Sequence, residues 1–129
     1  MIAVDTNVLA RLIVGDDPGQ GKRAAALFQH DEIFIPKTVL LELEWVLRGA
    51  YRIDRGLILK AFLGVLGLPN VTAEDGARVA AALRDYEAGF DFADALHLAS
   101  CSEADRFVTF DDKLRKRAKS LKGIEASSP

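Results

Sequence analysis

The sequence is poor in the features that define several classes of protein. Its 129 residues include one cysteine, Cys101, so neither an internal disulfide framework nor a multi-cysteine zinc site can form. Ten glycines and four prolines are too few for a collagen-like chain. A hydrophobic content of 50% and a net charge of −2 exclude intrinsic disorder. We expect a single domain over residues 1–129, because two domains would each be near the lower size limit for a stable core.

A segment suited to a membrane is also missing. The longest uncharged stretch runs from Ala61 to Ala73, contains Pro69, and is much shorter than the ~20 residues that a membrane-spanning helix needs. No basic residues precede the apolar start of the chain, and Asp5 interrupts that start, so the pattern does not match a signal peptide. We therefore expect a soluble, cytoplasmic protein with no membrane partner.

Charge is distributed unevenly along the chain. Between positions 113 and 122 lie six basic residues and no acidic residue: Lys113, Arg115, Lys116, Arg117, Lys119 and Lys122. The rest of the chain has eleven basic and nineteen acidic residues, a net charge of −8. The basic segment predicts contact with a polyanion, although a solvated helix face explains the same charges more simply.

Short apolar strands alternate with amphipathic helices. The pattern predicts strands at residues 2–4, 33–35, 71–72 and 107–109, and an edge strand at 123–125. Seven helices are predicted to begin near Val8, Pro18, Thr38, Asp54, Glu74, Asp91 and either Asp111 or Asp112. The helix from Asp91 should run to about Glu103, and the last helix has an apolar stripe of Leu114, Ala118 and Leu121. This alternation is typical of an α/β fold with a short, mainly parallel central sheet flanked by helices.

Two acids follow predicted strands, where functional groups gather in parallel sheets. Asp5 directly follows the first strand, and Asp111 follows the strand at 107–109 after one residue. Each also suits a purely structural role as a helix cap. Only one of Asp111 and Asp112 is needed to cap the last helix, so the second carboxylate is available for a functional role.

Another acid lies on the helix predicted to begin near Thr38. A helical wheel places Glu42 beside Val39 and Val46, at the border of the apolar face, where an acid usually has a partner or a task. Glu44 is expected on the solvent side, spaced to pair with Arg48. A Glu42 side chain that reaches outward to a basic residue is the simpler alternative.

Asp91 and Asp94 open a later helix. Asp91 suits the cap, and a carboxylate in the first turn, such as that of Asp94, favours the helix dipole. Asp94 nevertheless neighbours Leu98 and Cys101 rather than an open polar face. A structural and a functional role for Asp94 both stay open at this point.

Taken together, Asp5, Glu42, Asp94 and Asp111 come from four separate elements. Clustered carboxylates repel each other unless a cation neutralises them, and oxygen ligands suit Mg²⁺ or Mn²⁺ rather than Zn²⁺. Such metals promote phosphodiester hydrolysis because they activate a water molecule and neutralise developing charge. The sequence therefore predicts a divalent-metal site that acts on a polyanion.

At these residues the sequence resembles the PIN-domain ribonucleases, and in size and motif order the VapC-type toxins of bacterial toxin–antitoxin pairs. The resemblance covers nearly the whole chain and rests on Met1–Asn7, Glu42, Asp91–Ala95 and Thr109–Asp111. It implies a PIN-like three-layer sandwich and a Mg²⁺- or Mn²⁺-dependent endoribonuclease. It also implies that the catalytic metal ligands are Asp5, Glu42, Asp94 and Asp111.

The resemblance extends to supporting residues and to partners. It implies that Asn7 and Thr109 hold the ligands by hydrogen bonds and that Asp91 lies just outside them. Asp111 is favoured over Asp112 as the fourth acid because the spacing of Thr109 and Asp111 matches the family pattern. A homodimer and a cognate antitoxin that covers the acidic site are expected. Contacts to the RNA substrate are expected from Lys113, Arg115, Lys116 and Arg117.

Three alternatives differ in chemistry. A haloacid-dehalogenase-type phosphatase also begins with a strand that ends in Asp, but its pattern needs a second Asp where this chain has Asn7. A phospho-receiver module has adjacent acids after the first strand, whereas only Asp5 stands there in this chain. The third alternative is a catalytically inactive PIN fold that only binds RNA or a protein partner.

Overall fold

The computed structural model describes residues 1–129 apart from the side chain of Leu121, and it divides into two compact units, Met1–Ala80 and Ala81–Pro129. The strands are β1 Ile2–Ala3, β2 Ile33–Ile35, β3 Val71–Ala73, β4 Phe107–Val108 and β5 Ala126–Ser127. The helices are α1 Thr6–Val14, α2 Pro18–His30, α3 Lys37–Gly49, α4 Arg55–Leu66, α5 Gly76–Glu87, α6 Phe92–Ala99 and α7 Asp112–Lys122. This order confirms the predicted α/β fold.

In the N-terminal unit, three short strands form a parallel sheet in the order β1-β2-β3. Ile33 of the central strand pairs with Ile2 on one side and Val71 on the other. The amide of Val4 donates a hydrogen bond to the carbonyl of Phe34 over 3.3 Å, which extends the pairing of β1 by one residue. Asp5 therefore stands immediately beyond the carboxyl end of β1, as the sequence predicts.

Most helices of this unit begin where a polar residue can cap them, but α3 does not. Pro36 is its N-cap and makes no side-chain hydrogen bond, and the helix begins at Lys37, one residue before the predicted Thr38. The Glu74 carboxylate instead accepts a hydrogen bond from the backbone amide of Lys37 over 2.9 Å. A residue distant in sequence thus satisfies an amide that a local cap would otherwise bind.

The core of the N-terminal unit is mainly aliphatic, and the rings of Phe28 and Phe62 are buried with the aliphatic side chains. Its fully buried side chains include Leu9, Ile33, Ile35, Leu40, Leu43, Leu47, Ile58 and Phe62. They come from the sheet and from one face of each of α1, α3 and α4. Burial of these faces fixes the orientation of the helices that carry the acidic residues at the sheet edge.

In the C-terminal unit, β4 and β5 pair in parallel, with Phe107 opposite Ala126. The edge strand begins three residues later than predicted because Gly123, at φ 64°, ends α7 in the left-handed conformation that glycine adopts freely. Helix α6 stops at Ala99, earlier than the predicted Glu103, where the amide of Ser100 bonds back to the carbonyls of Leu96 and His97.

Aromatic contacts hold the C-terminal unit together. The rings of Tyr86 and Phe92 meet edge to face, with centroids 5.5 Å apart. The Arg117 guanidinium lies 4.1 Å from the centroid of the Phe90 ring. Leu114 and Ala118 of the predicted α7 stripe are buried, whereas the side chain of Leu121 lies outside the described residues.

Among the described residues, no helix is both long and apolar enough to cross a bilayer. The single domain over residues 1–129 stays a prediction.

Candidate active site

Asp5 both caps a helix and presents a carboxylate to solvent. Its backbone is extended, and its Oδ1 accepts a hydrogen bond from the amide of Thr6 over 2.7 Å at the start of α1. Asp5 is nonetheless exposed. The cap uses Oδ1 and leaves Oδ2 available, so Asp5 can cap the helix and also serve as a metal ligand.

Thr6 links this carboxylate to a second one. The Thr6 side chain is 6% exposed, and its hydroxyl donates a hydrogen bond to Oε1 of Glu42 on α3. Thr6 therefore binds Asp5 through its backbone and Glu42 through its side chain. This one buried residue fixes the separation of two acids that lie 37 positions apart in the sequence.

The expected exposures of the two α3 glutamates are reversed. Glu42 is exposed, whereas Glu44 is 3% exposed and accepts a hydrogen bond from Nε of Arg48 over 2.8 Å. The pairing of Glu44 with Arg48 is confirmed, but its solvent position is wrong. The buried stripe of α3 is centred on Leu40, Leu43 and Leu47, which turns Glu44 inward.

Asp5 and Glu42 line a cleft of about 300 Å³ within the N-terminal unit. The cleft is bordered by Asp5, Thr6, Asn7, Ala10, Arg11, Glu42, Val46 and Tyr51. Asn7 is exposed there, and its hydrogen bond to a ligand stays a prediction.

Arg11 and Tyr51 are cleft residues that the sequence reasoning missed. Nη1 of Arg11 lies 2.9 Å from the Tyr51 hydroxyl, and that hydroxyl donates to Oδ2 of Asp16 over 3.0 Å. The same guanidinium forms an ion pair with Asp16 at 3.3 Å. The signal for Arg11 is its place one turn after Asn7, on the same face of α1. No comparable signal identifies Tyr51, which lies 40 residues away.

A second acidic group lies in the C-terminal unit. Asp91 caps α6, with its Oδ2 accepting from the amide of Asp94 over 3.2 Å. Burial of the Asp94 carboxyl raises its pKa, the negative charges of Asp91 and Asp111 raise it further, and His97 opposes them. The charges of Asp91 and Asp111 therefore both act on the Asp94 carboxyl.

Asp111 and Asp112 have different surroundings. Asp111 caps α7 by accepting from the amide of Leu114 over 3.0 Å, and its own amide donates to the Thr109 hydroxyl over 3.0 Å. Asp112 is paired with the Arg115 guanidinium. The charge of Asp111 therefore acts on Asp94, whereas the charge of Asp112 is compensated by Arg115.

The donor set fits a divalent cation in chemistry but not in number. Among the described residues, no three His, Cys, Asp or Glu side chains form a group able to hold a metal ion. The available donors are carboxylate oxygens, which hard cations prefer. The raised pKa of Asp94 also marks a place where a cation would relieve unfavourable charge.

The basic residues of α7 fall into two groups, those that contact a protein group and those with no partner found among the described residues. Arg115 binds Asp112, Arg117 donates to the carbonyl of Gly89 over 3.3 Å, and Lys122 pairs with Asp85 at 3.0 Å. The exposed cations, for which no partner is found among the described residues, are Lys113, Lys116 and Lys119. Their spacing of three residues places them along one side of the helix. We call these three residues the lysine stripe.

Residues 2–120 match the family profile described as PIN domain. The match includes all four acids that the sequence singles out as metal ligands. No curated protein and no solved structure matches the chain.

Proposed function

Because the chain belongs to the PIN domain family, generally a nuclease fold that uses divalent metals, we propose that it is a Mg²⁺- or Mn²⁺-dependent endoribonuclease. The observation that carries the proposal is the environment of Asp94, where burial raises the pKa of the carboxyl and the charges of Asp91 and Asp111 raise it further. Such an environment is costly without a bound cation and is typical of sites that hold one.

The proposed ligands are Asp5, Glu42, Asp94 and Asp111. A bound Mg²⁺ or Mn²⁺ would supply an activated water and neutralise charge on the scissile phosphate. Thr6 orients the Glu42 carboxylate, and Thr109 holds the backbone of Asp111. Such supporting contacts fix ligand oxygens and limit the reorganisation that metal binding would otherwise require.

The biological role that we propose is that of a VapC-type toxin, homodimeric and inhibited by a cognate antitoxin. This part of the proposal is supported by the motif order alone. Membership in the PIN domain family leaves the phosphatase and phospho-receiver alternatives without support. A PIN domain that binds RNA without cutting it is the remaining competitor, since Asp5, Asp91 and Asp111 all serve as helix caps.

The test is cleavage of structured RNA by the purified protein in Mg²⁺ or Mn²⁺, with EDTA as the control. The proposal expects cutting that requires the metal and yields products with a 5′-phosphate. Cutting that continues in EDTA contradicts it. Binding of RNA by the wild type with no cutting of any RNA favours the inactive competitor.

The lysine stripe should carry much of the RNA affinity. Replacing Lys113, Lys116 and Lys119 by Gln removes three exposed charges, so the slope of log K against log salt should fall by about 2. The comparison variant replaces Arg115, Arg117 and Lys122 by Gln. These cations are engaged by protein groups, so the predicted RNA contacts of Arg115 and Arg117 should add less to the slope than the stripe does. Filter binding across a salt series measures both slopes. Equal slopes for wild type and the stripe variant would remove the stripe from the interface.

A further inference from the structure

Phe110 is the most exposed large hydrophobic side chain of the described residues, with 83% of its surface accessible. It lies between β4 and α7, next to Asp111. Single exposed apolar residues are common in folded proteins, so exposure alone says little. What distinguishes Phe110 is its position in the chain and the rigidity of the turn that carries it.

Hydrogen bonds hold this turn on both sides of the ring. The amide of Thr109 donates to the carbonyl of Ser127 over 3.0 Å, and the Thr109 hydroxyl accepts from the amide of Asp111 over 3.0 Å. The Arg115 guanidinium contacts both the Thr109 carbonyl, at 3.5 Å, and the Asp112 carboxylate. The ring is therefore presented from an ordered turn, so a ligand that binds it pays little ordering entropy.

Two kinds of charge follow the ring in the chain. Asp111, a proposed metal ligand, is the next residue, and the lysine stripe begins at Lys113 in the first turn of α7. Proteins that bind single-stranded nucleic acid combine cations that contact phosphates with aromatic rings on which bases stack. An exposed ring next to a proposed metal ligand, and three residues before the first lysine of the stripe, is suited to bind a base beside the scissile phosphate.

We propose that Phe110 is a specificity residue whose ring stacks on an unpaired base beside the scissile phosphate. The inference rests on the proposed function and deepens it, because a base within a duplex offers no free face to the ring. An apolar protein partner would need a larger hydrophobic patch, and Phe110 is bordered by Asp111, Asp112 and Lys113. The ring should therefore select for unpaired nucleotides at the cut.

The experiment compares Phe110→Ala, Phe110→Leu and Phe110→Trp in the full chain. Fluorescence anisotropy measures the Kd for a labelled single-stranded RNA and for the same RNA in a duplex. Ca²⁺ replaces Mg²⁺, and denaturing gels check that the RNA stays intact. Ala and Leu should each raise the single-strand Kd about tenfold, because both remove the flat ring, whereas Trp should stay near wild type. Duplex binding should not change.

The controls distinguish loss of base stacking from misfolding and from loss of RNA cleavage. Val108→Ala removes a neighbouring exposed apolar group and should leave the Kd unchanged. Unaltered thermal unfolding shows that the variants fold. A single-strand Kd that is unaffected by Ala, or preserved by Leu, overturns the stacking role; preservation by Leu would mean that an apolar contact with the RNA suffices without a flat ring. Ring-dependent binding without cutting in Mg²⁺ supports the inference while contradicting the endonuclease. Failure of the wild type to bind RNA overturns both.

Discussion

Asp5→Asn and Asp94→Asn should each reduce metal-dependent RNA cleavage by at least ~100-fold. Each substitution replaces a carboxylate by a neutral amide of the same shape, so the proposed cation loses charge compensation. Asn is as good a helix cap as Asp, so Asp5→Asn keeps the start of α1 intact. Single-turnover cleavage under saturating enzyme, in Mg²⁺ and in Mn²⁺, measures the loss without the effect of product release.

Asp111 and Asp112 form a matched pair for the same assay. Asp111→Asn also retains its cap and should lose activity like Asp5→Asn. Asp112→Asn removes the charge of a side chain that is 75% exposed and paired with Arg115, so cleavage should stay within about threefold of wild type. An equal loss in both variants would mean that α7 tolerates no change at its first turn. Full activity of Asp111→Asn together with loss in Asp112→Asn would reverse the assignment of the fourth acid.

Features set by local chemistry could be predicted from the sequence. Asp5 at the end of β1, Asp54 before α4 and Asp91 before α6 each cap a helix through contacts only one to three residues away. Such contacts depend on residue type and spacing and need no knowledge of the rest of the chain. The four acids of the proposed site could be identified for the same reason, since each stands at or near an element end or on a helix.

Features set by packing could not be predicted in this way. Helix α3 carries apolar residues on more than half of its circumference, so its sequence permits more than one buried stripe. The sheet and the neighbouring helices select the stripe of Leu40, Leu43 and Leu47, and with it the burial of Glu44. Arg115 and Arg117 likewise look equivalent to their lysine neighbours until Asp112 and the Phe90 ring are seen to engage them.

The second large effect concerns stability, where Asp94→Asn should act in the direction opposite to its effect on activity. Burial and the charges of Asp91 and Asp111 raise the folded-state pKa of Asp94 above its ordinary value of 3.8. The folded state therefore holds this proton more tightly than the unfolded state does. Without metal, the contribution of Asp94 to the free energy of unfolding falls as the pH rises from 3.8 through the raised pKa. The protein is therefore less stable at neutral pH than it would be with Asp94 uncharged.

Two consequences can be measured by thermal unfolding. In EDTA at pH 7, Asp94→Asn should have a higher Tm than wild type, because the variant has no carboxylate to desolvate. Below pH 3.8 the difference should disappear, since the wild-type group is then protonated in both states. If Asp94→Asn has a lower Tm than wild type at pH 7 and the same Tm as wild type below pH 3.8, the ionised Asp94 carboxylate makes a net favourable contact.

Added metal should reverse the order of stability. A cation that binds the folded state alone stabilises it by about 2.7 kcal/mol at 100 times its Kd, which corresponds to a Tm increase on the order of 10 °C. Wild type should show this increase in Mn²⁺, whereas Asp94→Asn should show little of it. Asp112→Asn is the control and should keep the full increase. If wild type and Asp94→Asn respond equally to Mn²⁺, the cation binds elsewhere, and the repulsion at Asp94 then needs another explanation, such as a cationic group of a protein partner.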